Sequence, residues 1–178
     1  MTVAIRPLRA DDSLEALTAL LHAAYASLAA RGMNFTAVDQ SVATTRERVA
    51  KGQAFVAELD GRFVGTVAVS GPRAAEERYL NDPVPAVYAR PGTAILAQLA
   101  VHPAQRGQGL AEKLMDAAEA WAGAQGYSHV ALDTAQPAED LQRRYARRGY
   151  VEVDAVQWAG KSYRSVVMLK ELTKEAQA

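Results

Sequence analysis

A nine-residue, largely apolar run, TAILAQLAV at residues 93–101, constrains the fold of this chain more than any other feature. The run is short enough for a strand, and its lack of regular polar alternation is typical of a strand that is covered on both faces. The sequence HPAQRGQGLAEKL follows directly, so the strand leads through a glycine-containing turn into a helix. This strand–turn–helix unit predicts a layered protein that contains both helices and sheet.

The rest of the chain alternates between strand-like and helix-like segments. Six more strands are predicted at residues 3–8, 54–59, 63–69, 129–134, 150–158 and 163–172. Helices are predicted from a cap at Asp11 or Asp12 to Gly32, over residues 38–51, from residue 110 to Gly126, and from Pro137 to Gly149. Asp60-Gly61 predicts a hairpin, and residues 70–92 predict a long irregular loop. The order predicts an α/β fold (α+β by some schemes) in one domain, residues 1–178, with a mixed sheet of about seven strands and helices on both faces.

Composition narrows the classes of function. The chain contains no cysteine, which excludes disulfides, Cys-metal sites and a cysteine nucleophile. Lys and Arg together number 20, as do Asp and Glu, so no net charge attracts nucleic acid or an anionic membrane. The N-terminal segment has no signal-like apolar run, and no stretch approaches the roughly 18 apolar residues of a membrane helix. We therefore expect a cytoplasmic protein with no metal, no nucleic-acid partner and no membrane partner.

The turn RGQGLAEKL has three interpretations. It can be a purely structural connection, which is the commonest meaning of two glycines between a strand and a helix. It does not match a dinucleotide-binding fingerprint, because Glu112 stands where a glycine or another small residue is required, and no Gly-Lys-Ser/Thr follows as in a Walker P-loop. The third interpretation is a cradle for a phosphate or pyrophosphate, built by N–H groups at the start of a helix, with Arg106 adding a charge. The residues of such a cradle are Gly107, Gln108, Gly109, Leu110, Ala111 and Glu112.

Two motifs together resemble a known family. LAVHPAQRGQGLAEKLM is similar to motif A of the GNAT superfamily of N-acetyltransferases, and DLQRRYARRGY is similar to a later family signature, with Tyr145, Gly149 and Tyr150 in register. The order of elements along nearly the whole chain also follows the family. One position departs from the pattern: Ala138 stands where family members often carry an Asn that helps to hold the cofactor arm or the helix start.

The resemblance implies an acetyl-CoA-dependent N-acetyltransferase with a mostly antiparallel sheet and a splayed central parallel pair. Acetyl-CoA would be the co-substrate, its pantetheine arm paired with the backbone of Leu99, Ala100 and Val101, and its pyrophosphate held by Arg106 and the cradle. The Val101 N–H would polarise the thioester carbonyl. Tyr145 would be the general acid, the alternative being an aromatic residue that packs its helix onto the sheet. The amine acceptor would attack directly, because the chain has no cysteine to carry an acyl group.

The acceptor side is less defined. Four aromatic residues predict a wall for the amine, although they can equally belong to the core or to a homodimer contact: Phe35, Tyr79, Tyr88 and Trp158. The general base is not identified by the sequence. Candidates are Gln98, which is a poor proton acceptor, and His102, Glu58, Asp133, Tyr79 and Tyr88, with water as an alternative relay. A non-catalytic protein that binds acyl-CoA as a sensor or assembly module remains the alternative function.

Overall fold

The computed structural model describes residues 2–79 and 82–173. Its four α-helices are α1 (Leu14–Ala30), α2 (Val42–Val49), α3 (Leu110–Ala124) and α4 (Glu139–Arg147). The strands are β1 (Ala4–Pro7), β2 (Gly52–Leu59), β3 (Arg62–Ser70), β4 (Arg78–Tyr79), β5 (Asp82–Pro83), β6 (Thr93–Val101), β7 (His129–Ala135), β8 (Val151–Val156) and β9 (Ser165–Glu171).

The main sheet contains seven strands in the order β1-β2-β3-β6-β7-β9-β8. The pairs β1–β2, β2–β3, β7–β9 and β8–β9 are antiparallel, whereas β6 and β7 are parallel. The parallel register joins Thr93–Ile95 to His129–Ala131, three pairs within strands of nine and seven residues. The predicted mixed, mostly antiparallel sheet with a splayed central parallel pair is confirmed.

The chain divides into two compact units. The first contains Met1–Ser70 and Leu96–Ala120, and the second contains Gly71–Ile95 and Trp121–Ala178. The dividing points fall inside β6 and α3, so each of these elements contributes residues to both units. Among the residues that the structure describes, no helix is long and apolar enough to cross a membrane.

In the first unit, the start of α1 corrects one prediction. Ser13 caps the helix, because its hydroxyl accepts the N–H of Ala16 at 3.0 Å, so the predicted cap at Asp11 or Asp12 is wrong. Asp12 instead accepts two hydrogen bonds from the Arg6 guanidinium, at 2.8 and 2.9 Å, and one from the Arg9 N–H. These bonds stabilise the ionised carboxylate and lower the pKa of Asp12 to about 2.

The connection between α1 and α2 corrects a second prediction. The sequence predicts a helix over residues 38–51, but a 3₁₀ turn occupies Thr36–Val38 and α2 begins only at Val42. The Ser41 hydroxyl accepts the N–H of Thr44 at 3.1 Å, and this side-chain cap sets the start of the helix. The hairpin prediction is confirmed: Asp60 and Gly61 both have positive φ, as a two-residue type I′ turn requires.

In the second unit, β7, β9 and β8 form an antiparallel ladder, and part of the predicted irregular loop is ordered. Residues 71–92 contain the β4–β5 pair and a 3₁₀ helix at Ala86–Ala89. A buried cluster of Tyr88, Ile95, Ala131 and Val167 packs this 3₁₀ helix against the ladder. Pro137 precedes the N-cap of α4, which is Ala138, and therefore does not lie in the first turn of the helix as predicted.

Candidate active site

The turn after β6 has the backbone shape that the cradle hypothesis needs. Gly107 and Gly109 have φ values of +78° and +74°, a conformation that residues with a Cβ rarely adopt. A Cβ built on either glycine would meet no atom within 4 Å, so open space lies in front of both. The helical ladder of α3 begins where the Lys113 N–H donates to the Gly109 carbonyl at 3.2 Å. A helix start of this kind leaves backbone N–H groups without an intrahelical acceptor, which is the arrangement that binds anions at other helix starts.

Two contacts fix this turn to the rest of the first unit. The Arg106 guanidinium donates to the Ala24 carbonyl of α1 at 2.7 Å. This bond uses one of the five N–H donors of Arg106, and the residue stays exposed. Gly65 of β3 lies so close to the start of α3 that an added Cβ would be 2.9 Å from Leu114 Cδ1. The turn is thus held from α1 by a charged side chain and from β3 by a close approach.

His102 has a structural role in the same turn. Its Nδ1 accepts the N–H of Ala104 at 3.1 Å and caps a short 3₁₀ helix at Pro103–Gln105. Its backbone N–H donates to the Val64 carbonyl at 2.8 Å. The imidazole nitrogen nearest the backbone is therefore engaged as an acceptor, which favours the structural alternative for this histidine over general-base catalysis.

The stretch predicted to hold the pantetheine arm follows a distortion in β6. Gln98 has a φ of +57°, in the left-handed region, within an otherwise extended strand. After it, the Leu99 carbonyl accepts the Tyr25 hydroxyl at 2.9 Å, and Ala100 is buried in a cluster with Leu21, Ala24 and Ala37. The backbone of Leu99, Ala100 and Val101 is thus anchored by α1 on one side.

Tyr145 lies in the second unit, on α4. Its side chain is 7 % exposed and its ring meets that of Tyr150 edge-to-face, with centroids 6.1 Å apart. Gly149, with a φ of +97°, ends the helix and turns the chain back so that the Tyr150 N–H donates to the Tyr145 carbonyl. The spacing of Tyr145, Gly149 and Tyr150 therefore serves a compact helix end as well as any chemistry.

The departure at Ala138 has a local compensation. Ala138 occupies the N-cap of α4 without a side-chain hydrogen bond. Gln142 instead reaches back from the first turn and a half of the helix, and its Nε2 donates to the carbonyls of Ala135 and Gln136 at 3.1 and 2.7 Å. The link between the end of β7 and the start of α4 is therefore provided by Gln142.

A family model decides the identity. The sequence model of the acetyltransferase (GNAT) family matches residues 15–150, which include the glycine turn and Tyr145. The chain belongs to the GNAT acetyltransferase family. It is accordingly an enzyme of the acyltransferase class, and the resemblance inferred from the two motifs is confirmed. No curated protein sequence matches this GNAT chain.

Solved structures agree with the GNAT fold at low sequence identity. Ard1 from Thermoplasma volcanium has a TM-score of 0.71 and 18% identity, covering 97% of this chain and 99% of its own. The ribosomal-protein-S18-alanine N-acetyltransferase from Escherichia coli has a TM-score of 0.70 and 16% identity, covering 97% and 95%. A GNAT acetyltransferase from Elizabethkingia anophelis with acetyl-CoA bound has a TM-score of 0.66 and 15% identity, covering 96% and 98%.

The aromatic residues predicted for the acceptor side of this GNAT protein fall into different surroundings. In the first unit, the Phe35 ring packs at a tilt on Tyr25, with centroids 5.5 Å apart. In the second unit, Tyr88 and Trp158 are both buried and both donate to one carboxylate: the Tyr88 hydroxyl to Asp133 Oδ1 and the Trp158 indole N–H to Oδ2 at 3.1 Å. We call these three residues the aspartate cluster. The backbone of Tyr79 lies in β4, but its side chain is outside the described part of the chain.

The other candidate bases are also engaged. Glu58 accepts two hydrogen bonds from the Arg6 guanidinium, at 3.1 and 2.6 Å, at the β1–β2 pair.

In the described part of the chain, no group of three or more His, Cys, Asp or Glu side chains could hold a metal ion.

Sequence reasoning missed several residues near β6. Tyr25 recurs with other apolar residues at helical spacing in α1, and that pattern does not predict that its hydroxyl donates to the Leu99 carbonyl. Gln40, which donates to Gln98 Oε1 at 2.9 Å, was not singled out at all. The available signal was Gln98 itself, a polar residue in an otherwise apolar strand, because a buried polar group requires a polar partner from elsewhere in the chain.

Proposed function

We propose that this GNAT enzyme transfers the acetyl group of acetyl-CoA to a primary amine, either of a small molecule or of a peptide, by direct attack in a ternary complex. The observation that carries the proposal is the pair of left-handed glycines before α3, with open space in front of both. Bare backbone at a helix start offers several N–H donors and a positive dipole end, which suit the pyrophosphate of CoA. Arg106, Gly107, Gln108, Gly109, Leu110, Ala111 and Glu112 are the proposed contacts.

The absence of cysteine and the family support the proposed reaction. The amine nitrogen attacks the thioester carbonyl carbon, the C–N bond forms, and the C–S bond breaks to release the thiolate of CoA. The Val101 N–H is the proposed donor to the carbonyl oxygen as negative charge develops there. We assign protonation of the thiolate to Tyr145, because a phenol with a pKa near ~10 can donate to a thiolate. The proton lost by the amine passes to solvent through water.

Support for acetyl-CoA also comes from the Elizabethkingia anophelis structure, which contains it. The Escherichia coli enzyme acts on an alanine of ribosomal protein S18, which makes a peptide amine a reasonable class to include. Phe35, Tyr79, Tyr88 and Trp158 remain the predicted acceptor contacts. A single functional domain over residues 1–178, a homodimer and a cytoplasmic location remain predictions as well.

Thiol release from acetyl-CoA, measured with a panel of alkylamines, amino-acid amides and N-terminal peptides, tests the proposal. We expect release that depends on one class of amine, with a matching acetylated product by mass spectrometry. Binding of acetyl-CoA by calorimetry without product from any amine would favour the sensor or assembly module. Absence of acetyl-CoA binding would contradict both functions.

A further inference from the structure

Five polar side chains in the first unit form a network that ends at the distortion of β6. We call it the amide cluster: Thr18, Gln40, Thr45, Arg48 and Gln98. Gln40 and Gln98 are 5% and 6% exposed, and Thr45 is fully buried. Such a network is stable only when donors and acceptors match, so the direction of each hydrogen bond can be worked out.

Arg48 sets the direction of the network. Its Nη1 donates to Gln40 Oε1 at 2.9 Å, and a guanidinium cannot accept a hydrogen bond. The Gln40 oxygen must therefore face Arg48, and its Nε2 must face the opposite side. There it donates to Thr45 Oγ1 at 2.8 Å and to Gln98 Oε1 at 2.9 Å. Reversing the Gln40 amide would place two donors against each other, so this orientation is fixed.

The consequence for Gln98 is an unused donor. Because its Oε1 faces Gln40, its Nε2 points away from the amide cluster. Within residues 2–79 and 82–173, that nitrogen has no hydrogen-bond partner. The nitrogen is also not one of the fully buried polar atoms that lack a partner, so part of it is accessible to solvent. Gln98 is 94% buried, and the two N–H groups of its Nε2 lie at the small part of the residue that remains accessible.

The backbone at Gln98 is itself costly. A left-handed φ of +57° is disfavoured for a residue with a Cβ, and such conformations persist where the surroundings hold them and often where function needs them. Gln98 directly precedes Leu99, Ala100 and Val101, the proposed contacts of the pantetheine arm. The strained residue and its unused donor therefore lie next to the backbone that is proposed to bind the pantetheine arm.

We propose that Gln98 Nε2 is a fixed hydrogen-bond donor to a carbonyl oxygen of a substrate, and that Gln40 is the positioning residue that sets its direction. The inference rests on the proposed function, because two carbonyl sources arise there: the pantetheine amides of CoA, and a carbonyl next to the acceptor amine. An uncharged donor suits such an oxygen and gives nothing to the ammonium of a simple alkylamine. If the acceptor supplies the oxygen, the preferred substrates are amino-acid amides or peptides rather than alkylamines.

Two single variants test the inference. Gln98→Glu keeps the shape and the acceptor that faces Gln40 but replaces the donor. Gln40→Glu leaves Gln98 itself unchanged, but the new carboxylate accepts a hydrogen bond where the Gln40 amide donated one. The Gln98 amide must therefore reverse, so that its Nε2 faces residue 40 and its oxygen faces outward. Gln53→Glu is the matched control, because Gln53 is a half-buried glutamine of β2 that donates to the Ala54 carbonyl at 2.8 Å. Thermal unfolding of all three variants establishes that each is folded.

The readouts separate the two sources of the carbonyl. One is the Kd of acetyl-CoA by calorimetry. The other is KM and kcat for the best carbonyl-bearing amine of the panel and for its analogue with a methylene in place of that carbonyl. We expect both variants to weaken the binding of the same substrate about tenfold, which is the effect of losing one hydrogen bond from a buried donor. Both values for Gln53→Glu should stay within twofold of the wild type. A change confined to the Kd of acetyl-CoA assigns the oxygen to CoA, and one confined to KM of the carbonyl-bearing amine assigns it to the acceptor.

Folded Gln98→Glu and Gln40→Glu proteins with both affinities within twofold of the wild type would overturn the inference. If one variant does not fold, the other decides, since each removes the outward donor by a different route. Failure of the proposed function has a different signature, because there the wild-type protein itself neither binds acetyl-CoA nor acetylates an amine.

Discussion

The two polar clusters of this GNAT protein differ in what they leave unused. In the second unit, the aspartate cluster consumes its donors, because the Tyr88 hydroxyl and the Trp158 indole both end on Asp133. In the first unit, hydrogen bonds of the amide cluster run from Arg48 through Gln40 to Gln98, whose Nε2 has no hydrogen-bond partner among the described residues. Both clusters are largely buried, so burial does not separate structure from function. The remaining hydrogen-bond capacity does.

The largest expected effect on stability lies in the aspartate cluster. Asp133→Ala removes the acceptor of two buried donors, and we expect a loss of about 3 kcal/mol in the free energy of unfolding, measured by urea denaturation. The acetyl-CoA affinity of the folded fraction should change little. A stability loss below about 1 kcal/mol, together with a large loss of activity, would break the comparison by making Asp133 a functional carboxylate.

Tyr145 is the predicted general acid and lies in the second unit, outside the aspartate cluster. Tyr145→Phe keeps the edge-to-face contact with Tyr150 and removes the phenolic proton. We expect kcat to fall about a hundredfold, as for a lost general acid, while the Kd of acetyl-CoA stays unchanged. Undiminished kcat in this variant would assign Tyr145 to packing alone.

The smallest expected effect concerns the ion pair between Arg6 and Asp12 in the first unit. Asp12 has a pKa of about 2 in the folded protein, below its ordinary value of 3.8, because Arg6 binds its carboxylate. The stabilisation is therefore present above about pH 4 and is lost as the pH falls toward 2. We expect Asp12→Asn to cost about 1 to 2 kcal/mol at pH 7 and much less at pH 2.5, in urea titrations at both values. Equal costs at both pH values would show that the carboxylate charge contributes nothing.

The sequence predicts the parts of the fold that depend on local patterns and not those that depend on contacts between distant elements. The bounds of β6 and the hairpin at Asp60-Gly61 follow from local patterns, apolar continuity in one case and turn chemistry in the other, so both are predicted correctly. The cap of α1 is decided by a competition that one sequence window cannot resolve. Asp12 is a good cap by type, but Arg6 on β1 binds it and leaves Ser13 to cap the helix.

The candidate site shows the same limit. The glycine turn is local, so its place between β6 and α3 is predicted, whereas the left-handed conformation of both glycines is known only from the structure. Gln98 is far from Gln40 and Arg48 along the chain, and their pairing depends on how β6 folds against α2 and the segment before it. The apolar pattern of β6 gives no sign of the left-handed φ at Gln98, since the strand distortion depends on contacts from other elements.

Gly109 and Gly61 provide the most direct test of the account, because they have the same φ of +74° and the same open space but lie in different turns. Calorimetric titration with acetyl-CoA compares Gly109→Glu with Gly61→Glu. Both variants should lose about 1 kcal/mol of stability from the strained backbone. The account predicts that Gly109→Glu loses acetyl-CoA affinity at least tenfold, because a carboxylate then occupies the proposed pyrophosphate site, and that Gly61→Glu binds like the wild type. Equal affinity in Gly109→Glu and Gly61→Glu would contradict it.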